Sequence, residues 1–539
     1  MTLESAFLYI AISVYGIAAL LAYVLERHFG KERDVVVSSL FILASLFLMA
    51  YAISILWKKN LVYAFILVLS VLYTMVFLGT FMMHLKEKIS LGILAVLSVF
   101  LLLTEDLLIK ALILELIALI NWWILRKAEK SLSSKLMISI NLLGVIPLLT
   151  SALLSDYGSS LERFSVGLKV SGEVLMMIFI PYLLIYANPC ESHTLPLTIT
   201  AGVVIPSISA LDLLHTLEAL NDIVLGTLII IIGTLSLGFS LFLRILENNS
   251  SSALAGLSQE GFSYTAMLIG IMGSTSYAFV FRGIAFYVMI LYVIMTVLML
   301  LVMLINEENL LDESLKWSPY LRMTLLFTIG FVLATAVGAP LTGGFSWRTM
   351  LYNLSSLSGH SVTVFVIVLA MTVLSLPGYI KSFIVVHESL RRKIRPYWDI
   401  FRVASVIILT LTLAVVGLLP SITLNTIIGE DYVQAYFSSV ERENVAFLVV
   451  IVISLLVIYG IVPASREKRD IWSLGERVPE ELYRIPPEDY YKPITEKFSK
   501  ILIIKKVMER AFQRAVPYAI ALIAIEVSIT IIIYLSLGW

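Results

Sequence analysis

Apolar stretches of membrane-crossing length follow one another along almost the whole chain, and they decide what it can fold into. A helix needs about 20 mostly apolar residues to cross the hydrocarbon core. Such stretches lie at 5–26, 35–57, 61–84, 90–104, 107–125, 136–154, 168–187, 195–214, 222–245, 255–272, 278–305, 319–339, 361–386, 403–420, 445–463 and 516–538. Of the 539 residues 59% are hydrophobic and 14% charged, against about 45–50% and about 25% in soluble domains. No water-soluble core is large enough to hide that surplus. The expected fold is all-α, a polytopic transmembrane helix bundle of about 14–16 spans. The run over 90–125 reads as two short helices, because Glu105-Asp106 interrupts a stretch too long for one crossing. Around 340–355 the pattern is ambiguous: Pro340, Gly343 and Gly344 break a helix that resumes near Trp347.

Charge and rare residues narrow the chemistry. The 38 basic and 38 acidic side chains cancel, so nothing points to a nucleic-acid partner. The single cysteine, Cys190, allows no internal disulfide and no cysteine-rich metal or iron–sulfur site. The six histidines are scattered without metal-ligand spacing, and no phosphate-binding glycine loop or hydrolase motif occurs. Redox, nucleotide or metal chemistry is therefore expected in partner chains. Met1-Thr-Leu-Glu-Ser lacks a basic signal-peptide region, so the first apolar stretch reads as a retained span. Glutamine occurs only at 259, 434 and 513, a scarcity of thermolabile amides that fits a thermophile.

Basic residues set the expected orientation. Connections after odd-numbered spans hold Arg27, Lys31, Arg33, Lys86, Lys88, Arg126, Lys127, Lys130, Lys135, Lys316 and the Arg391–Arg402 group; those after even spans hold few. The odd connections then face the cytoplasm and the N-terminus lies outside. The only sizeable polar segment runs over 465–514. Its second half alternates Lys500, Lys505, Lys506, Arg510 and Arg514 with apolar residues. This suits an amphipathic helix on the membrane or a neighbouring subunit, or equally a solvated basic linker.

Ionisable groups at membrane depth are costly and mark function by default. Glu115 is mid-span between apolar neighbours. Asp106 and Lys110 stand i,i+4 and are expected to pair, whereas Lys110 and Glu115 lie about 140° apart around the helix. Glu115 then needs a partner from another helix, either as an ion-path acceptor or in a static ion pair. Glu173 sits about one turn inside its span, as a relay or a boundary residue. Pro181, Pro189 and Pro196 follow, and broken membrane helices tend to line polar cavities. Asp212 and His215, at i,i+3, are placed to share a proton within a cluster that includes Glu218 and Asp222. Glu260, and Arg348 beside the break at 338–344, form a later group; arginine holds its proton and so orients rather than carries. Glu526 has no obvious partner and is expected to face another chain.

Three stretches, in order, resemble the antiporter-like membrane subunits shared by respiratory complex I, multisubunit cation/proton antiporters and membrane-bound hydrogenase and sulfane reductase complexes. Asp106-Leu-Leu followed by Glu115-Leu resembles the family's acidic helix. Ala255–Tyr264 (AGLSQEGFSY) resembles its LAYSS…GY helix. Gly338–Arg348 resembles its GxPxxxGFxxK broken helix, with Arg348 at the central lysine. The likeness runs from about residue 95 to about residue 385. It implies an outside N-terminus and two internally related five-helix repeats containing broken helices. The organisation is then 1–88 N-terminal spans, 89–221 first repeat, 222–390 second repeat, 391–464 C-terminal spans, and 465–539 polar segment, amphipathic helix and final span.

The sequence also departs from that pattern. Ile178 stands where the first broken helix holds a lysine, the following helix's lysine falls near Pro206, and the second repeat's lysine is Arg348. The Trp472-Ser-Leu-Gly-Glu476 element resembles the tail of the hydrogenase-type relatives. The resemblance implies a degenerate subunit of the ion-translocating module of a redox-driven complex of hydrogenase or sulfane reductase type. Its proton or sodium path would use Glu115, Lys110, Asp106, Glu173, Asp212, His215, Glu260 and Arg348. The implied partners are other antiporter-like and small membrane subunits and peripheral redox subunits carrying iron–sulfur clusters and nickel–iron, with no redox chemistry in this chain itself. A non-pumping structural subunit, a cation/proton antiporter subunit and a free-standing transporter remain the alternatives.

Overall fold

The structure, a computed structural model, describes residues 3–420 apart from connecting segments at 26–30, 59, 81–84, 126–140, 156–158, 187–193, 221, 247–249, 276–277, 308–318, 356–358 and 390–398. The stretches 445–463 and 516–538, the polar segment between them, Cys190 and Glu526 lie outside the described residues. Every described element is helical. In order these are α1 (Leu3–Leu25), α2 (Lys31–Ile55), α3 (Leu61–Gly79), α4 (Leu85–Leu103), α5 (Leu107–Leu125), α6 (Ile146–Ser155), α7 (Ser159–Phe179), α8 (Leu195–Leu220), α9 (Ile223–Leu246) and α10 (Ser250–Met272). There follow α11 (Ala278–Glu307), α12 (Pro319–Val337), α13 (Gly343–Asn353), α14 (Gly359–Ser389) and α15 (Asp399–Leu418). Among the described residues nine helices are long and apolar enough to cross a membrane. The chain is a multi-pass membrane protein.

Helix ends follow local chemistry. Asn60 starts α3 by accepting a hydrogen bond from the Val62 N–H at 2.8 Å. Asp106 starts α5 by accepting from Leu108 and Ile109 at 2.8 and 3.2 Å, and Asp222 does the same for α9. Each side chain satisfies amides that have no partner within the helix. The Glu105-Asp106 interruption is therefore a real boundary, and Asp106 is spent on capping.

Where backbone polar groups lose their helical partners, the bundle replaces them, as a low-dielectric surround demands. Past α7 the chain tightens into a 3-10 turn over Ile180–Tyr186, which contains Pro181. Helix α8 carries a π-helical turn over Thr200–Val204. Pro206 has no N–H to offer the Gly202 carbonyl four residues back, and the Ser258 hydroxyl of α10 donates to it instead at 2.7 Å.

The core lies around α11, whose span Ala278–Leu304 is buried along its full length, and α8, buried nearly throughout. Helix α10 packs against α9, α11 and the Ile180–Tyr186 turn, and α15 closes the bundle against α3 and α11. The α9–α10 seam is close because glycines face each other: a Cβ on Gly226 or on Gly270 would stand 2.5 Å from the other's carbonyl oxygen. Small residues let membrane helices approach in this way.

Candidate ion-translocation site

Two groups of charged side chains lie inside the bundle. The first is built by α5, α7 and α8. Lys110 Nζ donates to both carboxylate oxygens of Asp212, at 2.6 and 2.7 Å. It does not pair with Asp106, contrary to the i,i+4 expectation, because Asp106 caps the helix while the Lys110 side chain extends toward α8. One layer away on α7, Lys169 Nζ stands 3.8 Å from Glu173 Oε1. Glu173 is 1% exposed, and neither of its oxygens accepts a hydrogen bond. The charges of Lys169, Asp212 and Lys110 all act on it.

Lys110, Lys169 and Asp212, but not Glu173, line a cavity of ≈ 530 Å³ together with Asn60, Thr104 and Arg282. Its rim carries Glu105, His215 and Glu218, all exposed. Across the mouth Arg282 Nη1 donates to Glu218 Oε1 at 2.8 Å. His215 lines the same cavity but shares no hydrogen bond with Asp212, whose carboxylate is taken by Lys110. The chemistry here is labile, with primary amines, carboxylates and an imidazole at the edge of a polar space.

The second group is built by α9, α10, α11 and α14. Glu260 Oε2 lies 2.6 Å from Arg244 Nη2, with both side chains 2% exposed. Tyr292 donates to Glu260 Oε1 at 3.1 Å, and Tyr379 donates to the same oxygen. The Arg244 guanidinium lies 4.3 Å above the centre of the Tyr379 ring, a favourable placement for a cation. Glu260 is thus held from three helices, by the ion pair with Arg244 and by hydrogen bonds from the two tyrosine hydroxyls.

Arg348 belongs to a third arrangement and does not bond Glu260. The break between α12 and α13 passes through Gly338 at φ +82° and Leu341 at φ +69°. Arg348 Nη2 donates to the Ala336 carbonyl at 2.7 Å, Nη1 to the Gly344 carbonyl at 2.9 Å and Nε to Thr372 Oγ1 at 3.2 Å. Its guanidinium also sits 4.5 Å from the Trp347 ring centre. The side chain splints a broken helix by occupying backbone acceptors. A Cβ at Gly338 would meet Arg348 Nη1 at 2.8 Å, so this position needs glycine for space as well as for its backbone angle.

Glu115 joins none of these groups. Leu108, Leu112, Leu116 and Leu119 around it are 42–54% exposed, whereas Lys110, Leu114, Ile117 and Asn121 are buried. Glu115 therefore sits at the outward side of α5, half-buried and away from the charged interior. The sequence reading missed Lys169, Arg244, Tyr292 and Tyr379. The i,i+4 spacing of Lys169 and Glu173 is the one signal that was available; nothing in the local pattern around the tyrosines marks them.

The fold and these clusters define a class: a polytopic helical membrane protein with ion pairs and broken helices in its interior. No protein-family model matches the sequence, and no curated protein matches it. Solved structures do resemble it in fold. A chain of the membrane-bound sulfane sulfur reductase, an archaeal respiratory membrane complex, superposes with a TM-score of 0.72 at 13% identity, covering 98% of this chain and 100% of that one. A chain of the Mrp complex from Dietzia sp. gives 0.60 at 13% identity, over 86% of this chain and 57% of that one. A chain of respiratory complex I from Thermus thermophilus gives 0.56 at 15% identity, over 77% and 98%. The chain shares its fold with these chains of multisubunit membrane complexes.

Proposed function

We propose that this chain is an antiporter-like subunit of the ion-translocating membrane module of a multisubunit redox-driven complex, of hydrogenase or sulfane reductase type, and that it takes part in moving protons or sodium. Its partners are other membrane subunits and peripheral iron–sulfur subunits, with the redox cofactors, nickel–iron included, held there. The protein lies in the cell membrane with its N-terminus on the non-cytoplasmic side, a reading that the basic connections support. The observation that carries this reading is the Lys110–Asp212 pair in the wall of a cavity that also holds Lys169, with Glu173 buried beside Lys169.

Charges so placed are costly unless they do work. Moving or neutralising one of them changes the energy of the others through a low-dielectric interior. Lys110, Lys169, Asp212 and Glu173 are the mobile-charge set, with His215 at the entrance. Arg244, Glu260 and Arg348 supply fixed fields, since arginine holds its proton. Asp106 acts as a helix cap, and Glu115 stands apart from the set.

The test is isolation from native membranes in mild detergent, with companions identified by mass spectrometry and iron assayed. Iron–sulfur subunits and further membrane subunits are expected to co-purify. Membrane companions without iron would instead make it a cation/proton antiporter subunit, and a chain that purifies alone would contradict the reading. A non-pumping structural role is the second reading, favoured by arginine at 244 and 348.

A further inference from the structure

Helix α8 reaches Asp212 through an irregular turn, and the residues that make the turn lie outside the charged groups. Over Thr200–Val204 the helix is π-helical, with the Ile205 N–H donating to the Thr200 carbonyl five residues back. Pro206 follows directly. In a regular α-helix its ring would press on the Gly202 carbonyl, and it would offer that carbonyl no N–H. The wider turn removes the clash. The freed carbonyl accepts from the Ser258 hydroxyl of α10 at 2.7 Å, and Ser258 is 0% exposed. The turn also packs against the Ile180–Tyr186 segment, where a Cβ at Gly202 would stand 2.9 Å from Leu184 Cδ1. It is thus held from two sides.

A π turn takes up one residue more than an α turn, and each residue of an α-helix turns the chain by about 100°. Closing the turn would therefore rotate everything beyond it by about one residue's angle. Asp212 is flanked by Leu211 and Leu213, 5% and 0% exposed. Rotated in this way, α8 would present one of these leucines to Lys110. The carboxylate would leave the amine that it now meets at 2.6 and 2.7 Å.

We propose that Pro206 and Ser258 are positioning residues: together they hold the π-helical turn of α8, and the turn sets the register in which Asp212 meets Lys110. Pro206 excludes the regular turn, and Ser258 satisfies the carbonyl that Pro206 leaves. Ser258 stands two residues before Glu260 on α10, so the helix that carries part of the second charged group also anchors the register of the first. What the pair does in the membrane rests on the translocation reading, whereas its register is read without transport.

Limiting acetic anhydride, applied to the assembled complex, tests the proposal. Acetylation of Lys110 is read by mass spectrometry, with Lys88 on α4, 1% exposed, as the reference for general loosening. Asp212→Asn removes the partner and sets the scale, an increase at Lys110 of about tenfold for an amine that no longer has to break a charge-assisted hydrogen bond. Pro206→Ala restores an N–H and lets the turn close, and is expected to give an increase of the same order. The double variant with Asp212→Asn is expected to give no more than either change alone. Ser258→Ala is expected to raise Lys110 acetylation, and Ser258→Thr, which keeps the hydroxyl, to leave it unchanged. Should Pro206→Ala not assemble, the two Ser258 variants carry the test alone. Acetylation of Lys110 that stays at the unaltered level in Pro206→Ala and Ser258→Ala, or that rises together with Lys88, would overturn the positioning role. If Lys110 responds as expected while Pro206→Ala transports ions normally, the positioning stands and the translocation reading falls.

Discussion

Lys110 and Asp212, 102 positions apart in the chain, form a two-pronged ion pair with Nζ at 2.6 and 2.7 Å from the two carboxylate oxygens. The pair ties the start of α5 to the last turns of α8 and forms part of the cavity wall. Its geometry explains why the shorter-range partner loses. Asp106 is fixed by the amides of α5, whereas Asp212 can give both oxygens to the amine.

Replacing Lys110 by Met leaves the Asp212 carboxylate without its cation. A fully buried pair broken in this way costs about 3–5 kcal/mol. Asp212 is 26% exposed, so water offsets part of the loss, and the expected cost is about 1–3 kcal/mol. Thermal unfolding of the purified complex reads it. The double variant Lys110→Met with Asp212→Leu is expected to recover most of the loss, which a double-mutant cycle would resolve.

Glu173→Gln is expected to have the smaller effect. The substitution removes the carboxylate that faces Lys169 at 3.8 Å, and Lys169, 24% exposed, turns to water instead. Stability is expected to change by about 1 kcal/mol or less, measured by the same thermal unfolding.

The Arg244–Glu260 pair should be the more sensitive one. Both side chains are 2% exposed, and Arg244→Met strands a carboxylate in the core at a cost of about 3–5 kcal/mol. Arg244→Lys is not expected to rescue it, because an ammonium lacks the planar fork that both meets Glu260 and stacks on Tyr379. Steady-state amounts of assembled complex check both variants, and normal assembly of Arg244→Met would contradict the packing described.

Gly270→Leu tests the α9–α10 seam. A side chain at this position meets the Gly226 carbonyl at 2.5 Å and the Ile230 backbone nitrogen at 3.0 Å, so the helices must separate. Overpacking of this kind costs about 1–3 kcal/mol or more. Lowered thermal stability of the assembled complex is the expected readout.

Much of the architecture was legible in the sequence because apolar length is a direct physical requirement of a bilayer. The interruption at Glu105-Asp106, the proline-marked turn after α7 and the break before α13 all fall where helix-breaking chemistry places them. The ambiguity at 340–355 resolves into a turn and the helix Gly343–Asn353, with the Thr342 hydroxyl accepting from the Phe345 N–H. The sites were less legible. Spacing along one helix predicts neighbours on that helix, so it offered Asp106 for Lys110 and allowed His215 for Asp212, whereas Lys110 and Asp212 bond each other across helices. Glu115 looked central because it is mid-span, but depth along a helix says nothing about which way the side chain points. Arg244 was invisible for a related reason. It sits in the last turn of α9, where a basic residue reads as an end-of-span anchor, until α10 and α14 fold over it.

The most direct test of the central claim is ion transport by the reconstituted complex carrying Glu173→Gln in this chain, compared with the unaltered complex at matched subunit composition. Coupled transport is expected to fall about tenfold or more, as for a charge that must bind and release an ion at membrane depth, while the subunits still assemble. An unchanged transport rate in a normally assembled complex would contradict the account and make the chain a structural subunit.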